Sequence, residues 1–448
     1  SVHDRGHFCI GGVDSVMLAK KYGTPLYVLD EDAVRRNCRT YYSSVKKHFP
    51  PGSTAIYASK ALSFKRIYPV INEEGLGADV ASAGELYIAK SAGFPMEKIL
   101  FHGNGKSEAD IRFALECSIG CFVVDNREEL DTLNRCAGEM GIRQKIQLRL
   151  TPGIDPHTFD AVNTGKIDSK FGTAIATGQA FSLTSYALTL RNLDLQGFHC
   201  HIGSQIFDDR PFCDAADIML DYIATVRDKT GFTASVLNLG GGFAVRYTHD
   251  DPEISIEENI ARLGSHIMDR CGELHIPVPA IILEPGRSIV ADAGVTLYTV
   301  ENVKTIEDYK NYVTVDGGMA DNPRYALYRS PYTVLIANRA AANPDALYTI
   351  AGRCCESGDM IQEDVPLPAP QRGDIAAVLV TGAYNYSMAS NYNWLCRPAL
   401  VMLRGGTETL AIRQVLQRGI GVCNRDEMLA NVIRGDFFHF CPEIFQSR

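Results

Sequence analysis

A nucleophile, several proton-transfer groups and a possible anion cradle stand at separated points of the sequence. In AIYASKALS, residues 55–63, apolar and β-branched residues run into Ser59 and Lys60. An amine at the end of a buried strand is expected to lose solvation, which disfavours its charged form and lets it attack a carbonyl group to form a Schiff base. A solvated lysine at a strand end would read the same way. LNLGGGFAVRY, residues 237–247, follows a strand-like run with three glycines, so backbone N–H groups can approach a phosphate unobstructed; a tight turn is the plainer alternative. In EPGRSIVADAG, residues 284–294, Glu284 ends an apolar run, Gly286 offers another backbone amide and Arg287 carries a planar fork suited to a carboxylate. A Glu284–Arg287 pair closing a turn is the structural alternative.

His199 and His201 flank Cys200 and are expected on opposite faces of a strand, unable to chelate one metal together. His201, nearer the strand's C-terminal end and followed by Gly203 and Ser204, is the better candidate to stack on a planar ligand. Three later clusters are too polar for their strand-like surroundings: DNPRYALY (321–328), RCCESGD (353–359) and GAYNYSMASNYN (382–393). Within them Cys355 and Glu356 offer a thiol proton and a carboxylate, and Arg324 with Tyr328 a second anion-binding pair.

The elements that must position these groups repeat. Short apolar runs recur at 55–59, 77–82, 98–103, 121–125, 145–150, 197–203, 235–240 and 280–286, most of them separated by helical stretches. Ser82 with Glu85 and Asn126 with Glu129 have capping-box spacing, and Gly93 stands where a helix would stop. Eight strands alternating with helices over about 250 residues fit a (β/α)8 TIM-type barrel. Lys60, Asp79, His102, Asp125, His201, Gly240–Gly242 and Glu284 all fall at or just after strand C-termini, the face where such barrels build active sites. The polar, glycine-bearing HTFDAVNTGKIDSKFG in the gap between Leu150 and Gly197 reads as a loop over the barrel mouth. After Ala293 β-branched and aromatic runs separated by turn residues predict a mainly β domain. The expected division is a barrel over 31–293 and a β-rich domain over 294–448, joined by the arm 1–30.

With 448 residues, 46% of them hydrophobic, the chain has the composition of a globular enzyme of two or three domains. A net charge of −9 argues against nucleic-acid or anionic-membrane partners. No signal-like N-terminus and no long apolar run are present, so a cytoplasmic location is expected. Thirteen cysteines without paired spacing fit reduced thiols, with no disulfide framework or metal site.

Taken together, YASKA, DVASAGEL, HIGSQI, LNLGGGF, EPGRSIV, DNPRYALY, CESGD and GAYNYSMASNYN make nearly the whole chain resemble the fold type III pyridoxal-phosphate decarboxylases of alanine racemase-like fold. The likeness is greatest to the branch acting on meso-diaminopimelate. It implies a carboxy-lyase that converts this substrate to L-lysine and CO2, the last step of lysine biosynthesis, as a homodimer with shared sites. It also implies roles. Lys60 would hold the cofactor as a Schiff base, His201 stack on its ring and Glu284 bond the ring nitrogen, with Asp79 in the same cofactor set. Ser204, Gly241, Gly242, Gly286 and Tyr384 would hold the phosphate, with Arg287 adjoining. Arg287, Arg324, Tyr328 and Tyr384 would meet the substrate, whose distal ammonium falls to Glu356, and Cys355 would be the proton donor. Cys355 and Glu356 would come from the partner subunit. Two arginines favour a substrate with a distal carboxylate over ornithine or lysine. The sequence departs from the family pattern at Phe159, commonly histidine, and at Trp394, commonly basic. Phe159 leaves room for a relative acting on another amino acid or a carrier-bound substrate.

Overall fold

The computed structural model describes residues 1–3, 6–154 and 169–414. Within these the chain divides into two units. One comprises residues 34–246 and 251–289; the other comprises 1–33, 247–250 and the residues from Val290 onward.

The first unit is a closed barrel of eight parallel strands. In chain order they are Thr54–Ala58, Gly77–Val80, Ile99–Phe101, Cys121–Val124, Gln144–Thr151, Leu193–His199, Val236–Asn238 and Ala280–Leu283. Each pairs with the next, the fifth with the sixth, and the eighth closes on the first through Ile282↔Thr54 and Leu283↔Ala55. Because alternate residues of a strand face one side, the interior is built in layers. Ile56, Leu100, Val123 and Ile282 form one buried apolar layer, against which Val236 packs. Two residues further along, the same strands deliver His102, Asp125, Glu284 and Asn238, all buried. One step of the strand repeat therefore separates an oily plug from a polar floor.

Helices cover the barrel with periodic apolar faces. Arg127–Glu139, for example, buries Leu130, Leu133, Cys136 and Ala137 at three- and four-residue spacing. Both expected caps form: Ser82 Oγ accepts the Glu85 N–H and Asn126 Oδ1 that of Glu129. The reciprocal bonds reach one residue before the cap, from Ala81 N–H to Glu85 and from Asp125 N–H to Glu129. Most of the stretch expected as a loop, 157–172, lies outside the described residues; beyond it the gap before Gly197 holds a two-residue strand, Thr173–Ala174, and a helix, Gln179–Ala187. Phe159 lies outside the described residues.

The second unit is mainly β. Its spine, Gly294–Ile306, pairs antiparallel with Leu26–Asp30 and Ile375–Leu379 along its first half and with Lys310–Val315 along its second. Leu26–Asp30 also pairs in parallel with Ala399–Arg404. Leu26, Val28, Val295, Leu297, Ala377, Val401 and Leu403 share the core beneath this sheet. No helix among the described residues is long and apolar enough to cross a membrane.

Candidate active site

Glu284 is the centre of the polar floor. Only 5% exposed, it takes His102 Nε2 at 2.8 Å and Asn238 Nδ2 at 2.8 Å on Oε1, and His199 Nε2 at 3.2 Å on Oε2. Four strands thus converge on one carboxylate. Burial alone would raise its pKa, but the His102 and His199 contacts outweigh burial and hold it well below the usual carboxylate range. Burial also pushes the His199 imidazole down to about 3 and lowers that of His102, against the pull of the Glu284 charge on both. Sequence reasoning placed His102 at its strand end without a role, set His199 aside in favour of His201 and passed over Asn238. Their common signal is the two-residue step beyond the apolar layer, visible only once the barrel closes.

Lys60 departs from expectation. It lies in a 3-10 turn, Ser59–Ala61, after the strand, and is exposed in the single chain. Buried Asp79 anchors this turn by accepting the Ser59 N–H at 3.1 Å. Burial raises the Asp79 and Glu85 carboxyls, and the Lys60 charge opposes that rise in both.

The two histidines of HCH need correction. Residues two apart on a strand share a face rather than opposing one another, and here the strand ends at His199. His199 turns inward to Glu284 while half-buried His201 follows over the same mouth. Burial, then the Lys60 and Arg149 charges, hold the His201 ring well below its ordinary pKa. Among the described residues, His102, His199 and Glu284 also form a group whose ligand atoms lie within 4.8 Å of one another. Their contacts of 2.8 and 3.2 Å are those of N–H donors to an acceptor, so hydrogen bonding accounts for the group without an ion.

Glycines line the same rim. A Cβ on Gly241 would lie 2.1 Å from the Glu284 carbonyl oxygen, on Gly242 2.6 Å from that of Gly203, and on Gly286 2.8 Å from Ala58 Cβ. Gly242 also sits at φ +126°, which side chains rarely adopt. Beside them Arg287 Nη2 and Nε reach Ser204 Oγ at 2.9 and 3.1 Å. Arg287 and Glu284 therefore turn to different partners and do not form the pair that a simple turn would use. Arg149, buried on the fifth strand, stacks its guanidinium 4.4 Å from the Phe171 ring.

In the β unit Arg324 is buried, 4.5 Å from the Tyr247 ring centre, and donates to Tyr332 Oη at 3.2 Å and Ser330 Oγ at 3.0 Å. Tyr328 is half-buried at the end of the short helix Arg324–Tyr328, and half-buried Tyr384 takes a left-handed backbone, φ +59°. Asn385 beside it is buried and donates to Tyr332 Oη at 3.0 Å. Cys355 and Glu356 are exposed. Their loop is fixed by Asp359, which accepts the Met319 N–H at 2.6 Å and the Cys354 N–H at 2.7 Å. The Cys355 N–H donates to Asn393 Oδ1 at 2.7 Å; Asn393 and exposed Trp394 both have positive φ.

Residues 32–291 match the family model described as the pyridoxal-dependent decarboxylase, pyridoxal binding domain. The chain is 45% identical over 413 residues to a diaminopimelate decarboxylase of Bacillus methanolicus, covering 92% of this chain and 95% of that one. It is 45% identical over 412 residues to one of Bacillus subtilis, covering 92% and 94%. A crystal structure of diaminopimelate decarboxylase from M. jannaschii in complex with L-lysine superposes with a TM-score of 0.86 at 34% identity, over 92% of this chain and 94% of that one. With its eight-stranded barrel, buried carboxylate floor and these relatives, the chain belongs to the pyridoxal-dependent decarboxylases.

Proposed function

We propose that the protein decarboxylates meso-diaminopimelate to L-lysine and CO2 with pyridoxal phosphate, as a cytoplasmic homodimer. The observation that carries the reading is the anionic Glu284 at the barrel floor beside a rim that accepts only glycine backbone. Those residues fit the cofactor: Gly241 and Gly242 pack too close to the Glu284 and Gly203 backbone for any side chain, so no Cβ screens their N–H groups from a phosphate, and a buried carboxylate matches a protonated ring nitrogen. The relatives named diaminopimelate decarboxylase, and the neighbour holding L-lysine, support this substrate.

When bound, the cofactor supplies an electron sink for the carbanion left by loss of CO2. Lys60 supplies the amine that holds it covalently, on the turn that Asp79 anchors. Glu284 would hold the proton on the ring nitrogen and His201 would pack on the ring. Ser204, Gly241, Gly242, Gly286 and Tyr384 hold the phosphate, with Arg287 beside Ser204. Arg287, Arg324 and Tyr328 take the substrate's distal carboxylate, Glu356 its distal ammonium, and the Cys355 thiol returns a proton to the carbon that lost CO2. The exposure of Cys355 and Glu356 in the single chain supports their entering a site on the partner subunit. The domain division we propose, 31–293 and 294–448 with the arm 1–30 joining the latter, follows the same scheme.

Competition assays of CO2 release should show meso-diaminopimelate preferred over lysine and ornithine by at least about a thousandfold in kcat/KM, because an analogue without the distal carboxylate brings no anion to the two buried arginines. Equal turnover of lysine, or a preference for another diamino acid, would overturn the substrate assignment.

A further inference from the structure

Three donors on one buried carboxylate exceed what an ion pair at that place would need. His102 follows the third strand, His199 ends the sixth, Asn238 ends the seventh, and Glu284 follows the eighth. Oε1 takes two of the donors and Oε2 one. A buried anion without donors is costly, and so is a buried imidazolium. Neutral rings that donate through Nε2 carry their lone pair on Nδ1. His199 Nδ1 is buried without a hydrogen-bond partner, as suits a lone pair, since an unfilled acceptor is tolerated more readily than an unfilled donor.

We propose that His102 and His199 are positioning residues: as neutral Nε2–H donors, with Asn238, they fix the Glu284 carboxylate as an anion and leave Oε2 as the acceptor for the cofactor's ring nitrogen. The proposal rests on the reading that Glu284 is the ring-nitrogen partner. Other ionisable groups acting on this cluster are Lys60 on its turn, Asp79 on the second strand, Arg149 on the fifth and His201 after the sixth. The Cys121 and Cys200 thiols, both pushed up to about 12 by burial, stay protonated beside it. The Glu284 cluster thus combines its carboxylate with two uncharged rings, and its anionic state survives without a neutralising partner on the same element.

The first test needs no substitution. Side-chain ¹⁵N NMR of the wild-type apo-protein should show both rings neutral and protonated at Nε2 between about pH 6 and 8; a charged ring, or the other tautomer, would overturn the proposal. In the reconstituted holoenzyme His102→Phe and His199→Phe should each lower kcat about tenfold or more, with KM changed by less than about threefold, because the loss falls on a group acting in the transition state. Each should also shift the pH at which the bound cofactor's visible absorption changes. His199→Gln, which keeps an N–H donor, should recover part of both effects. Adding His199→Phe to Glu284→Gln should slow the enzyme by less than about threefold beyond Glu284→Gln alone, since both act through one carboxylate. Fully additive losses, or wild-type absorption and pH profile in both Phe variants, would overturn the positioning role. A stoichiometric metal ion in the purified protein would overturn it too. Wild-type kcat and absorption in Glu284→Gln would instead strike the underlying assignment of Glu284.

Discussion

Glu284 and Glu356 show two ways of presenting a carboxylate. Glu284 is 5% exposed and takes three donors from its own chain, whereas Glu356 is exposed beside an exposed Cys355. Both oxygens of the buried carboxylate are satisfied within one polypeptide because converging strands bring donors to each. In the β unit the backbone of the loop is what is fixed. Asp359 sits where a Cβ on Gly318 or Gly352 would meet its carboxylate at 2.5 and 2.2 Å, and its bonds to Met319 and Cys354 hold residues 353–359 in place. A rigid loop carrying unburied reactive side chains is what a site completed by a second chain requires.

The largest expected effect breaks that comparison if it fails. Lys60→Ala and Cys355→Ala should each abolish nearly all turnover as homodimers. Borohydride reduction followed by mass spectrometry should find the cofactor on Lys60 in the wild type; attachment elsewhere would end that assignment. Unfolded together, mixed equally and refolded, the two variants should regain about a quarter of wild-type activity, because half the dimers are mixed and each mixed dimer has one intact site. No recovery, with mixed dimers confirmed by native mass spectrometry, would show that both residues serve one chain.

A smaller effect sharpens the barrel side. Glu284→Gln should lower kcat by on the order of a hundredfold while the cofactor stays bound, if several kcal/mol of carbanion stabilisation depend on the charge. Retained turnover in steady-state assays would remove Glu284 from that role.

What could be read from the sequence follows the same divide. All eight barrel strands were legible because parallel strands buried on both faces read as short continuous apolar runs, and their polar C-terminal residues stood out against them. The start of the sixth strand at Leu193 was not, since Asp194 and Gln196 break its apolar run. The turn holding Lys60 was hidden because Ser-Lys-Ala carries no glycine, proline, Asn or Asp, and the Ser59 N–H is held by Asp79 twenty positions away. The donors on Glu284 come from strands separated by up to 182 positions, so no local pattern joins them. Within the β unit the polar clusters could be found, but the pinning of one of them by Asp359 between two glycines depends on loops that meet only in the folded sheet.

The smallest effect contrasts the two buried carboxylates that the chain handles oppositely. Glu284 is held anionic, whereas burial pushes the Asp321 carboxyl of the β unit up to about 7. Tyr298 Oη donates to its Oδ2 at 2.5 Å and the Gly318 N–H to Oδ1 at 3.0 Å, while the Asp316 and Asp359 charges add to the rise. In the unfolded chain an aspartate titrates near about 4. Between these values the folded state binds more protons than the unfolded one, so the contribution of Asp321 is fully present below about pH 4 and is lost as pH rises through about 7. Denaturation midpoints of the wild type should therefore carry a component that falls over this window, on the order of a few kcal/mol at most. Asp321→Asn keeps an acceptor for Gly318 without a titrating proton and should flatten that component relative to the wild type. An identical pH profile in the two proteins would show that Asp321 is ionised in the fold like Glu284, and that the β unit supplies stabilisation not apparent from its hydrogen bonds.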